Sequence, residues 1–248
     1  MYYNADLLEI GNQDGRISLG FIDDITYGIE GDTDKGNIRT LKQALVKAEE
    51  WREKHGAKFE TTKYVLVHFS RKRLNLSASI NVNGVTIKPT NQVKYLGVIF
   101  DKQLRFKEHM QYVTGKGTRA VMALSRIAKN HWGPQYQHIR QLFNAVIAAR
   151  TDYAASIWHR PRDTTAATVT QVRSLTTIQR LAMKAITGCF RTTPTAALEI
   201  EAGIQPTAIR LQSKVLQAFA RMKTLPSTHP MQAYLQGARR HGEIKYKS

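Results

Sequence analysis

Cysteine is nearly absent from this chain of 248 residues, where Cys189 stands alone. A single thiol excludes an intramolecular disulfide framework and a cysteine-rich zinc site, and it fits a reducing, intracellular compartment. Long apolar runs are lacking too. The longest stretches without a charged side chain, residues 74–87 and 224–238, are rich in Ser, Thr, Asn, Gln or Pro. Both fall short of the roughly 20 apolar residues that span a bilayer, so no membrane is expected as a partner. The opening MYYNADLLEI carries no basic start followed by an apolar run, and no secretory signal is expected. The eight histidines are scattered without an H-E-x-x-H helix, and neither a G-x-S-x-G elbow nor a G-x-x-x-x-G-K-S/T phosphate loop occurs. Zinc hydrolysis, serine-based acyl transfer and P-loop chemistry are therefore not expected.

Acidic residues are scarce, and their scarcity is uneven. Against 37 Lys and Arg there are 19 Asp and Glu, for a net charge of +18. Residues 1–60 hold twelve acidic and eight basic side chains, a net of −4, whereas residues 61–248 hold seven and twenty-nine, a net of +22. A field of that strength attracts polyanions, above all nucleic acid, through phosphate neutralisation and counterion release. An acidic front before a basic body suggests a carboxylate-bearing site beside a phosphate-binding surface. The hydrophobic share of 42 % is ordinary for a folded chain, and the length suits one domain or two small ones.

The pattern along the chain predicts an α+β unit followed by a helical one. Glycines punctuate residues 1–36 and place Asp23 and Asp24 in or beside a short strand or hairpin. Ile38, Leu41, Leu45, Ala48 and Trp51 recur at helical spacing, with Thr33 or Asp34 as caps and Gly56 as a stop. TKYVLVHFS, residues 62–70, reads as a strand, Asn83-Gly84 as a type I′ hairpin turn, and KYLGVIFD, residues 94–101, as a further strand. Helices follow over about 105–130, around Ile139 to Ile147, and around Val169 to Leu181. Thr193-Pro194 reads as a cap with a first-turn proline, and Pro206 opens a last helix before a frayed tail.

The constellation with chemical promise is Gly20-Phe21-Ile22-Asp23-Asp24. Two adjacent carboxylates on a tight turn can hold hard divalent cations through oxygen. Taken alone, an Asp-Asp pair is ordinary turn chemistry. Its neighbours change the reading. FIDDITYGIEG, a helix ending in Trp51, KFETTKYVLVHF and NGVTIKPTNQVKYLGVIFDKQLRFKEHM follow in an order and spacing that resembles the reverse transcriptases of non-LTR (LINE-type) retrotransposons. TGCFRTTPTAALEIEAGIQP resembles the helical segment after the polymerase core, so the likeness covers most of residues 1–225.

The resemblance implies a C-terminal piece of an RNA-directed DNA polymerase. It assigns residues 1–110 to the late part of a palm, 111–225 to a helical thumb or connecting region, and 226–248 to a basic flexible tail. It makes Asp23 and Asp24 the metal-binding and catalytic pair, with Mg2+ as cofactor, and places Lys63 near the incoming triphosphate, where its charge or proton would help the leaving pyrophosphate. Tyr95, Leu96 and Gly97 match the hairpin at the primer end. The partner implied is an RNA/DNA primer-template, and the location of the parent element implies nucleus or cytoplasm.

The chain departs from that family at its start, only twenty-two residues before Asp23, so the fingers and earlier palm motifs have no counterpart. The expectation is a fragment without polymerase activity by itself that keeps nucleic-acid binding. The rival expectations are a domesticated, non-catalytic nucleic-acid-binding protein and a non-functional pseudogene product. Arg71, Lys72 and Arg73 form the densest basic cluster, and Arg119, Arg126, Lys129, Arg140 and Arg150 punctuate the helices. These are the expected phosphate contacts. Trp132, Tyr136, Tyr153 and Trp158 are candidates for base stacking or for helix packing.

Overall fold

A computed structural model describes residues 5–10, 16–72, 74–128, 133–161, 165–229, 231, 232 and 235. The chain separates between Leu104 and Arg105 into two compact units. The first is built around one long helix, α2 (Asp34–Lys54). Thr33 starts it, its hydroxyl accepting from the Gly36 N–H at 3.1 Å, as a β-region cap should. One side of α2 buries Ala48 and Trp51 against Leu7 of α1 (Ala5–Ile10), with Ile25, Tyr27 and Phe59 around them. The other presents Ile38, Leu41 and Leu45 to a cluster of Leu66, Ile80 and Val82. Apolar positions three and four apart thus serve two small cores, and Trp51, with the Phe59 ring stacked 6.5 Å away, belongs to packing.

The unit holds three separate two-stranded antiparallel sheets: β1 (Arg16–Phe21) with β2 (Asp24–Ile29), β3 (Ile80–Val82) with β4 (Val85–Ile87), and β5 (Gln92–Tyr95) with β6 (Val98–Asp101). The Asn83-Gly84 turn is as expected, with φ of +50° and +80° at its two central residues. Two strand expectations fail. Residues 62–70 are not a ladder strand: Thr61–Lys63 form a 3₁₀ turn, and the extended chain beyond makes one parallel bridge, Leu66 to Pro89. Proline has no N–H to continue such a ladder, and the Leu66 carbonyl is taken instead by the Thr90 N–H at 2.8 Å. Residues 94–101 are not one strand but a hairpin, because Leu96 and Gly97 both lie at positive φ and reverse the chain.

The second unit is helical. α3 (Lys107–Ile127) packs on α7 (Ala166–Thr187), burying Met110, Val113, Val121 and Leu124 together with Leu175, Ile178, Ala182 and Met183. Each fully buried large side chain of this set contributes about 1.5–3 kcal/mol. Between them α4 (Tyr136–Leu142) continues through a π-helical stretch, Phe143–Ala148, into α5 (Ala149–Thr151), and the short α6 (Ala155–Trp158) follows. α8 (Thr195–Ala202) and α9 (Thr207–Lys223) close the unit. Pro194 occupies the N-cap of α8 rather than its first turn, and no side-chain capping bond is made at that position. Gly188 and Gly203 end α7 and α8 at φ of +68° and +59°, the left-handed cap that glycine adopts without strain. The described part of the expected frayed tail folds back: the Gln232 amide donates to the Met222 and Leu225 carbonyls at 3.1 and 2.8 Å, and so closes the end of α9. The rest of that tail lies outside the described residues.

Candidate functional site

The aspartate pair sits at the tip of the β1–β2 hairpin, closed by the Phe21–Asp24 pair. Asp23 is in the two-residue turn and Asp24 opens β2; both are exposed. Neither carboxylate is engaged by another side chain among the described residues. The strand pattern is inverted relative to an ordinary half-buried hairpin. Ile17, Leu19 and Phe21 point outward, 38–51 % exposed, while Ser18 between them is half-buried. Gly20 explains this orientation, since a Cβ there would stand 2.8 Å from Leu8 Cδ2 of α1. Asp24 consequently shares its face with a row of exposed apolar side chains, and Ile22 at the tip is 81 % exposed.

Both hairpins that carry expected site residues have a costly turn. Ile22 stands at φ +55° and Leu96 at +44°, a region where branched or bulky L-residues cost about 1–2 kcal/mol. The Asn83-Gly84 hairpin, which carries no expected site residue, uses the residues its turn geometry prefers. Tyr95 is half-buried as the closing pair of β5–β6 with Val98, and Leu96 and Gly97 are exposed at the turn. Lys63 ends the 3₁₀ turn, exposed, on the same turn as Glu60. The Glu60 carboxyl lies below its usual range because Thr62 donates to it through both hydroxyl and N–H, with the Lys63 charge adding to the effect. No hydrogen bond or ion pair joins Lys63 to Asp23 or Asp24 among the described residues. The aspartate and Tyr95–Gly97 hairpins belong to different sheets.

The donor chemistry of Asp23 and Asp24, oxygen only, suits a hard divalent cation. Among the described residues, no group of three or more His, Cys, Asp or Glu stands close enough to hold a metal. Among the described residues this site offers two carboxylates, and water or substrate oxygens would have to complete any shell they form.

Basic side chains gather in two places. Arg71 and Lys72 lie exposed in a bend after Ser70. The Ser70 N–H donates to the Lys102 carbonyl at 2.9 Å, and Lys72 and Lys102 line one small polar pocket of about 50 Å³ with His68, Ser70 and Asn91. Lys102 was not foreseen, because thirty residues separate it from Lys72 and no local pattern links them. On α3, Lys116, Arg119 and Arg126 are exposed along one stripe, with Lys116 Nζ 4.5 Å from the centre of the Tyr112 ring. Their three- and seven-residue separations did signal a shared face, yet Lys116 was missed. Arg73, Lys129 and Trp132 lie outside the described residues. Arg140 lies against the end of α8, where a Cβ on Gly203 would meet its Nη1 at 2.7 Å, a position that favours a cation by the helix dipole. Trp158 is buried and its indole N–H donates to the Tyr153 carbonyl at 2.8 Å, so it packs; Tyr153 itself is 52 % exposed. The Tyr136 hydroxyl donates to the Glu201 carbonyl.

Comparison with known proteins supplies the family context. The chain is 29 % identical over 136 residues to a "Retrovirus-related Pol polyprotein from type-1 retrotransposable element R1 4" of Nasonia vitripennis, covering 55 % of this chain and 33 % of that protein. It is 24 % identical over 203 residues to a "Putative 115 kDa protein in type-1 retrotransposable element R1DM" of Drosophila melanogaster, covering 82 % and 19 %. It is also 24 % identical over 170 residues to a "Probable RNA-directed DNA polymerase from transposon BS" of Drosophila melanogaster, covering 68 % and 18 %. The chain thus spans a third or less of the length of these relatives, and the resemblance to proteins of non-LTR retrotransposons holds over more than half of its own length. No family model and no solved structure matches it. Among the described residues, no helix is long and apolar enough to cross a membrane.

Proposed function

We propose that this chain works as part of an RNA-directed DNA polymerase of a non-LTR retrotransposon, its first unit as late palm and its helical unit as a thumb-like grip on the primer-template. The observation that carries the reading is the Phe21–Asp24 tip: two exposed carboxylates, engaged by no other side chain among the described residues, at a turn held in a costly conformation. Such strain is found where a site over-determines its geometry. Asp23 and Asp24 would hold magnesium, which supplies neutralisation of a triphosphate when bound. Lys63 would lie near that triphosphate, and Tyr95, Leu96 and Gly97 would meet the primer end. The Lys72–Lys102 pocket and the Lys116–Arg119–Arg126 stripe would bind phosphates without reading sequence.

With two carboxylates at the tip among the described residues, the 248 residues alone are expected to bind but not to extend a primer. The test measures binding to an RNA/DNA primer-template across a salt series, with magnesium-dependent extension followed in parallel for the parent chain and Asp23→Asn. Binding that weakens steeply with salt, without extension, supports the reading. Salt-insensitive or absent binding removes it. Extension that is lost in Asp23→Asn would show that the chain does complete a metal site, and the expected inactivity would be withdrawn.

A further inference from the structure

The helical unit holds an open cleft of about 340 Å³ that no expected site residue touches. Three elements build it. From α7 come Val169, Val172 and Arg173, three and four residues apart and so on one face of the helix. From α9 come Ala208 and Gln212, one turn apart. The segment after α6 adds His159, Arg160 and Pro161. Val169, Val172, Pro161 and Ala208 make apolar walls. Arg160 and Arg173 are both exposed cations, and no carboxylate is among the described lining residues. Among the described residues neither guanidinium is paired with an acid. Gln212 brings an amide that can both donate and accept.

A cleft with an apolar floor, a few polar groups and two exposed cations asks for a ligand that is flat and apolar in one part and anionic in another. Its size is at the lower end for small-molecule clefts, roughly 300–1,000 Å³. That suits one base with its phosphate and is too small for a stacked pair. A base in a duplex hides its faces in the stack, so only an unpaired nucleotide can offer them. We infer that this cleft seats one unpaired nucleotide of a single-stranded nucleic acid, the base against Val172, Pro161 and Ala208 and the flanking phosphates on Arg160 and Arg173. The inference rests on the nucleic-acid binding proposed above and adds to it a preference for single strands. Guanidinium groups favour the phosphate end through paired, planar hydrogen bonds.

The test compares a fluorescent single strand of about ten thymidines with a blunt duplex of equal length, titrated with the full chain. Ala208→Trp fills the cleft from an exposed helix position. It should weaken single-strand binding about tenfold, equivalent to about 1.4 kcal/mol, and leave the duplex within about twofold. The double variant Arg160→Gln, Arg173→Gln should lower the single-strand salt slope by about one to two. Arg221→Gln, roughly 20 Å along α9 from Ala208, should change neither. Thermal melts check folding, and if Ala208→Trp melts early the arginine pair, both exposed, decides. If the parent binds both probes and the cleft variants bind the single strand as the parent does, the inference is overturned and the proposed function stands. If the parent binds neither probe, both fall.

Discussion

Arg210 of α9 grips Asp152 with two prongs, Nε to Oδ2 at 2.6 Å and Nη2 to Oδ1 at 3.0 Å, across fifty-eight residues of chain. The pair is nearly sealed from water, at 11 % and 2 % side-chain exposure. Arg210 also donates to the Gln179 amide oxygen, Thr151 donates to Asp152 at 3.0 Å, and Gln179 passes the network on to the Gln205 carbonyl at 3.0 Å. Four segments of the helical unit therefore share one polar centre. Asp152→Ala leaves a buried guanidinium unpaired and should cost about 3–5 kcal/mol, whereas Asp152→Ala with Arg210→Met should recover much of that loss. Chemical denaturation of the three proteins measures it; equal losses in single and double variants would refute the coupling.

Two glycines in the middle of α3 look equivalent in sequence and differ in surroundings. A Cβ on Gly117 would meet Ile178 Cδ1 at 3.0 Å and Thr151 Cγ2 at 3.1 Å, whereas one on Gly115 would meet only Arg119 Nη1 at 3.7 Å. Gly115→Ala should therefore stabilise by about 0.5–1 kcal/mol through helix propensity. Gly117→Val should destabilise by about 1–3 kcal/mol by forcing α3 and α7 apart. Denaturant midpoints at constant m-value test the opposite signs.

Asp34 ties the segment before β3 to the start of α2. Its carboxyl lies below the usual range chiefly because the Ala78 N–H donates to it, at 3.1 Å, with Ser77 and Lys35 adding further bonds. A depressed carboxyl contributes stability that is present above its unfolded value, about pH 4, and is lost as pH falls through the folded value. Protection of the Ser77 and Ala78 amides, taken against intrinsic exchange at the same pH, should thus fall below about pH 4 in the parent chain. In Asp34→Ala that protection should be low at every pH, and protection that survives the substitution would refute the tether.

Leu96 occupies a turn position that Asn fills in the β3–β4 hairpin. Leu96→Asn should relieve the left-handed strain and stabilise the β5–β6 hairpin by about 1 kcal/mol. On the proposed function it should also weaken primer-template binding, since the exposed leucine would be lost from the primer end. A gain in melting temperature with unchanged binding would separate the hairpin from the nucleic-acid surface.

Much of this was legible in the sequence where the cause was local. Thr33 and Gly56 announce the two ends of α2 through backbone geometry that only their neighbours influence. Asn83-Gly84 announces its turn for the same reason. The 62–70 segment misled because its β-branched and aromatic residues suit a strand, yet whether a strand forms depends on a partner, and its partner carries Pro89. The 94–101 segment misled because leucine at a left-handed position breaks the rule that makes turns readable, while the family resemblance did point to a hairpin there. Asp23 and Asp24 stood out by their neighbours, and Lys102 did not, because its partner Lys72 is close only in the fold.

By itself the sequence determined the two-part plan, an α+β unit and then helices, since hydrophobic period and caps act within a few residues. It determined the polarity of the chain, acidic in front and basic behind, because charge sums need no coordinates. It also carried the resemblance to non-LTR retrotransposon proteins, which rests on the order of motifs. Tertiary structure alone decided which side of β1 meets solvent, and that a Cβ on Gly20 would crowd Leu8 of α1. It alone decided that Gly117 is a packing position and Gly115 is not, and that Arg210 faces Asp152 and not water. It alone brought Val172, Arg173, Ala208 and Arg160 around one cleft. Each of these depends on residues far apart in the chain, and packing rather than local preference fixes which of them meet.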